Sequence, residues 1–320
     1  MRRILFILLF SVSLIPACRN SGKNVKSDII IFHAGSLSVP FRELKEIYER
    51  ETPGVRILLE PAGSLVCARK ITELKKPCDI MASADYFVIN ELLIPDYADW
   101  SIRFATNEIV IAFSDKAKYA GEINNENWTD ILLRDDVLYG RSDPDTDPCG
   151  YRSVLTMKLA ENYYNSPGLS DKLTGKNRDY IRPKEVDLVA LIESNAIDYM
   201  FQYKSVAIQH NLNFIELPDE INLSDPQYEE LYNSVSLEIR GNKPDNKLIV
   251  RGEYINYSMT IPFVSPNKEA AIDFMSFILS ERGTEIFRKN GQNPIIPFST
   301  EQKSLIPQKL LASLPESNMN

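Results

Sequence analysis

From residue 28 onward the sequence alternates short β-branched runs with segments of helical period, and this alternation constrains the fold more than any other feature. DIIIFHAG is followed by VPFRELKEIYER, in which Leu44, Ile47 and Tyr48 share one helical face. VRILLEPAG leads into SLVCARKITEL, CDIMASAD into a helical stretch, and VLYGRSD into a helix that begins near Pro148. PKEVDLVALIES (183–194) reads as helix, AIDYMFQY and NFIEL as strands, and SVSLEI and YINYSMTIPFV as two more strands. NKEAAIDFMSFILSERGTEIFRKNG reads as a long amphipathic helix interrupted at Gly283. The unit of strand, loop and helix recurs without a fixed solenoid period. It implies an α/β fold, and 320 residues suit two sheets better than one. The expectation is two lobes, with the C-terminal helix returning to the first.

The N-terminus is built differently. MRR precedes the apolar run ILFILLFSVSLIPA, the pattern of a secretory signal and too short for a comfortable membrane span. Leu14-Ile15-Pro16-Ala17-Cys18 resembles a bacterial lipobox, with Cys18 as the lipidated first residue of the mature chain; the alternative is an ordinary cleaved leader. On either reading the protein works outside the cytoplasm, in the periplasm or cell envelope. Residues 1–17 are then the signal and 18–27 a polar tether.

A formal net charge of −8, more acidic still without Arg2 and Arg3, argues against general nucleic-acid binding. Of the cysteines beyond the signal, Cys67 and Cys78 could pair, but the sequence leaves this open. No CxxC pair suggests structural zinc.

RSDPDTDPCGYRS (141–153) carries aspartates at every second position. Asp143, Asp145 and Asp147 imitate the start of an EF-hand loop, but Pro148 stands where that loop needs glycine and Val154 where it needs glutamate. Asp147-Pro148 instead matches a helix start, aspartate as N-cap and proline as first helical residue. Asp147 is therefore either a cap or part of a site. Two other strand-to-helix turns bear on the choice, Ala34-Gly35-Ser36 and Ala62-Gly63-Ser64. Exposed amides at helix starts, close backbone approach at glycine and a serine hydroxyl suit a tetrahedral oxyanion, and lobes facing each other would bring the three turns together. There is no GxxxxGK[ST], GxGxxG or GxSxG, and His33 and His210, the only histidines, lack a diagnostic context.

IIIFHAGSLSVPF, LEPAGSLVCARKITEL, DIMASADY, FATNEIVIAF, DPCGYRS, IRPKEVDLVALIES, DYMFQYKSVAIQHNLNFIELPDEINLSDP and GTEIFRKNGQNPI together resemble the tungstate/molybdate substrate-binding proteins of ABC importers, of the archaeal molybdate-binding type. The resemblance runs from about residue 28 to about 300. It implies a type II periplasmic-binding-protein fold: two lobes, each a mixed sheet flanked by helices, with the ligand in the cleft between them. Lobe one would comprise 28–107 and 255–320, and lobe two 108–254. Catalysis and cofactors are not implied. The implied partners are the oxyanion, a membrane permease with its ATPase, and the membrane through Cys18, the protein itself being a monomer.

Carried over residue by residue, the resemblance implies ligand contacts at Gly35, Ser36 and Ser64 in the first lobe. In the second it implies Thr146, Asp147, Pro148, Glu185 and Tyr203. Members of this branch place two carboxylates on the metal of the oxyanion, making it six-coordinate; here these are Asp147 and Glu185. Carboxylates beside a dianion make physical sense only as ligands to its hard, high-valent centre. Sulfate and phosphate do not take two further oxygen ligands. The alternatives are another ligand on the same fold, namely sulfate, phosphate or ferric ion, and an extracytoplasmic hydrolase using the carboxylates.

Overall fold

The computed structural model describes residues 27–314 other than Asn242 and Pro244. The leader, Cys18 and all of the tether but Ser27 lie outside the described residues, and Ser27 already belongs to the first strand.

Along the chain the strands are β1 (Ser27–His33), β2 (Val55–Pro61), β3 (Ile80–Ser83), β4 (Ile102–Thr106), β5 (Ile109–Phe113), β6 (Tyr139–Ser142) and β7 (Ile181–Arg182). They continue with β8 (Tyr199–Tyr203), β9 (Asn213–Glu216), β10 (Ser236–Arg240), β11 (Lys247–Arg251), β12 (Asn256–Thr260) and β13 (Asn293–Ser299). Three isoleucines in a row fix β1 as extended, because β-branched side chains are crowded in a helix and pack well on a pleated surface. Ile29 pairs with Ile57 of β2 and Ile31 with Ile80 of β3, both in parallel register.

The first sheet has the order β13-β4-β12-β3-β1-β2 and the second β7-β6-β8-β5-β9. Both are mixed: β12 runs antiparallel to β3 and β4, and β5 antiparallel to β8 and β9. The central strands β3, β5, β8 and β12 are buried at every residue, so helices cover both faces. Truncating a side chain such as Ile111 or Phe201, each wholly buried, costs about 2–5 kcal/mol through lost burial and the cavity left behind.

The chain passes between the sheets twice, at Asn107-Glu108 between β4 and β5 and at 252–255 between β11 and β12. Asn107 ties the crossing together: its Nδ2 donates to Ser205 Oγ at 2.7 Å and to the Tyr257 hydroxyl at 2.9 Å. The helices that position the site are α1 (Ser38–Glu51), α2 (Ser64–Thr72) and α3 (Tyr86–Leu92) on the first sheet. On the second they are α4 (Trp128–Leu132) and α5 (Pro148–Tyr163).

Two local expectations are corrected. The long C-terminal helix breaks at Ser280 rather than Gly283, giving helices Lys268–Ile278 and Glu281–Lys289. Ser280 is extended and its hydroxyl accepts the Gly283 amide at 3.2 Å, so the serine ends one helix and caps the next. Strand β11, unrecognised in the sequence, pairs only with β10 in a two-stranded ribbon whose residues are mostly half-buried or exposed, which blurs its pattern.

Candidate functional site

Strand β1 is followed by Ala34, whose amide bonds to Ala82 O at 2.9 Å, and Gly35–Leu37 then forms a 3-10 turn leading into α1. Ser36 is fully buried. The Tyr257 hydroxyl, itself held by Asn107, donates to Ser36 Oγ at 2.9 Å, which leaves the serine proton for another acceptor. Ser64 opens α2 behind Gly63, and its Oγ accepts the Ala84 amide at 3.1 Å, so its proton is likewise uncommitted.

Asp147 stands at the N-cap position of α5 with Pro148 as the first helical residue, and its backbone is extended, with φ −140° and ψ 130°. Yet its side chain makes no capping bond. Oδ2 accepts the Glu185 amide at 3.0 Å instead, and Oδ1 has no hydrogen-bond partner although it is buried. Glu185 begins a short 3-10 turn, Glu185–Leu188, and neither of its buried carboxylate oxygens accepts a well-formed hydrogen bond among the described residues. Gln202 of β8 holds this corner in place: its Nε2 donates to Glu185 O at 2.9 Å and its Oε1 accepts the Tyr203 amide at 2.8 Å. Tyr203 ends β8 with a buried hydroxyl that also lacks a partner.

The two halves meet closely. A Cβ on Gly35 would stand 2.8 and 2.9 Å from the Glu185 carboxylate oxygens, and one on Gly63 only 2.2 Å from Thr146 O. Glycine is required at both turns because the opposing lobe occupies the space. Gly35, Ser36, Glu185 and Asp147 are thus gathered at one point, with Gly63, Ser64, Thr146 and Pro148 beside it. Thr146 contributes differently from the serines, since its hydroxyl is already engaged with Pro183 O at 2.8 Å and Asp143 O at 3.2 Å.

Burial, and then the neighbouring Glu185, push the Asp147 carboxyl well above the usual carboxylate range. Burial raises Glu185 too, opposed by its own amide, Asp147 and Ser36. A corner this dry, with two acidic groups side by side and, among the described residues, no basic side chain paired to either, favours protons or a cationic centre over two bare charges. His33 is no candidate base. Burial drives its imidazole down to about 4, its Nδ1 meets Ala34 O at 2.7 Å, and it stacks on Phe41 at 5.3 Å. His210 is exposed at the end of the helix Lys204–Gln209.

Several residues around the site were not found from sequence. Asp85, at the start of α3, is bound by Arg152 Nε at 2.8 Å and by the Tyr151 hydroxyl at 2.8 Å. Arg152 Nη1 also reaches Glu253 O at 3.0 Å, so a wholly buried ion pair joins both lobes and the return crossing. The available signal was a charge inside α5, which is buried almost all round. Cys67, Cys78 and Cys149 are buried free thiols, and burial pushes Cys67 up to about 12.

The profile of the family described as bacterial extracellular solute-binding protein matches residues 29–293. The chain belongs to that family. Among relatives of this solute-binding protein, one from Petrotoga mobilis, itself described as a solute-binding protein, is 42% identical over 96% of this chain and 94% of its own. The molybdate/tungstate-binding protein WtpA of Pyrococcus abyssi is 44% identical over 89% of this chain and 91% of its own. In structure, the periplasmic molybdate-binding protein of Azotobacter vinelandii covers 82% of this solute-binding protein and 98% of its own chain, with a TM-score of 0.61 and 18% identity, a likeness of fold. Among the described residues no helix is long and apolar enough to cross a membrane.

Proposed function

We propose that this solute-binding protein captures molybdate or tungstate outside the cytoplasm and hands it to an ABC permease and its ATPase, without chemical reaction. The observation that carries the reading is the set of three buried carboxylate oxygens, Asp147 Oδ1 and both oxygens of Glu185, that accept no well-formed hydrogen bond among the described residues, Ser36 and Asp147 only easing the Glu185 charge from nearby. Buried acceptors left unbonded are costly, and two acidic groups beside serine and tyrosine donors suit a ligand that is anionic outside and a hard cation within. The 44% identity to a protein named for binding these two anions supports it.

In this reading Ser36, Ser64 and Tyr203 donate to oxo groups, the turns at Gly35 and at Thr146–Pro148 let the backbone approach, and Asp147 and Glu185 bond to the metal. The lobes, 28–107 with 255–320 and 108–254, close over it, and Cys18 anchors the mature monomer through lipid. Calorimetric titration of the mature domain with tungstate, molybdate, sulfate and phosphate tests the reading. Tight binding of the first two and none of the others is expected; binding of sulfate without tungstate would refute it.

A further inference from the structure

We infer that Arg69 is a positioning residue that latches the rim of the cleft and sets how slowly a bound solute leaves. It lies in the last turn of α2, five residues after Ser64, and is 9% exposed. Its guanidinium donates to three main-chain carbonyls: Nη1 to Asp145 O at 2.7 Å, Nη2 to Arg240 O at 2.7 Å and Nε to Gly241 O at 3.2 Å. All three acceptors belong to the second lobe and come from two segments, the loop that delivers Asp147 and the end of β10.

Those segments are fastened to each other. Asp145 Oδ1 accepts the Arg240 amide at 2.8 Å, and Asp143 Oδ1 accepts the Asp145 amide at 3.0 Å. The alternating aspartates therefore have separate tasks: Asp143 shapes the loop, Asp145 bolts it to the ribbon, and Asp147 faces Glu185. Arg69 grips the bolted unit two residues from Asp147.

The chemistry suits a reversible catch. Among the described residues Arg69 forms no ion pair, so opening the cleft returns its planar fork to water without stranding a buried carboxylate. The Asp85–Arg152 pair is different, because Arg152 also holds the crossing at Arg251 and Glu253, close to where β12 begins. Contacts made only in the closed form act on escape rather than encounter. Loss of the latch is expected to raise the dissociation rate roughly ten- to hundredfold while the association rate changes by about threefold or less.

The inference rests on the solute-binding reading, and the experiment separates the two. Stopped-flow release of tungstate is measured for the wild type, Arg69→Met and Arg69→Lys. The methionine variant should release fastest, with lysine in between because a point charge cannot serve three carbonyls. Ligand-free melting temperatures should be unchanged, which a merely structural role would not allow. Release at the wild-type rate overturns the latch. If the wild type binds no tungstate, the functional reading fails instead and the latch is judged without solute. Spin labels on Leu74→Cys and Ile249→Cys, both exposed, report the interlobe distance, the thiols of Cys67, Cys78 and Cys149 being buried. A smaller closed fraction in Arg69→Met supports the latch, and identical distributions overturn it.

Discussion

The Glu185 amide donates to Asp147 Oδ2 at 3.0 Å, and this bond turns the Asp147 carboxylate away from the helix it precedes and toward the second acidic group. A cap would have satisfied the helix; Asp147 instead leaves one oxygen unbonded beside two more on Glu185.

Removing either charge at constant shape should therefore impair binding far more than removing a hydroxyl. Asp147→Asn and Glu185→Gln are each expected to weaken tungstate binding by roughly a hundredfold or more, and Ser64→Ala by about tenfold or less. Calorimetry on the three variants checks the order, and equal losses would remove direct coordination from the account.

The same pair makes the closed, ligand-free form lose stability as pH rises. Both carboxyls are raised from ordinary values of 3.8 and 4.5, so above those values the folded state holds more protons than the unfolded chain. Stability is then fully present at low pH and falls as pH rises toward and through the raised values. Melting scans from about pH 5 to pH 8 should show this decline, and Asp147→Asn should flatten it and melt roughly 2–5 °C higher near neutrality. With tungstate bound the trend should reverse, because acid competes with the metal for the carboxylates.

Gly63→Ala isolates closure from folding. Its backbone, φ −58° and ψ 142°, accepts alanine, but the added methyl meets Thr146 O across the cleft. Binding should weaken by roughly a hundredfold with the ligand-free melting temperature unmoved, and small-angle scattering should show no compaction on adding tungstate. Normal compaction would mean the lobes close in some other way.

Asp85→Ala tests the buried ion pair. It strands the Arg152 guanidinium and should destabilise the protein by about 3–5 kcal/mol in urea, while Asp85→Leu combined with Arg152→Met should recover most of that loss. A loss below about 1 kcal/mol would show that water reaches the arginine.

Much of this was legible in the sequence for a physical reason. Strands such as IVIAF are buried on both faces and so read as unbroken apolar runs, and each turn that builds the site is a short strand-to-helix junction marked by glycine, serine or Asp-Pro. The proposed acidic ligands themselves came from family resemblance, since spacing alone left Asp147 between cap and site. Residues whose role depends on distant partners stayed hidden. Arg69 meets carbonyls 76, 171 and 172 positions away, Asp85 meets Arg152 67 positions away, and Gln202 looks like one more residue of a core strand until its two bonds are seen.

The most direct test is X-ray absorption at the tungsten edge of the protein–tungstate complex. A six-coordinate oxygen shell is expected in the wild type, with the two added ligands lost stepwise in Asp147→Asn and in its combination with Glu185→Gln. A four-coordinate shell like that of free tungstate, unchanged by either substitution, would contradict coordination by the two carboxylates.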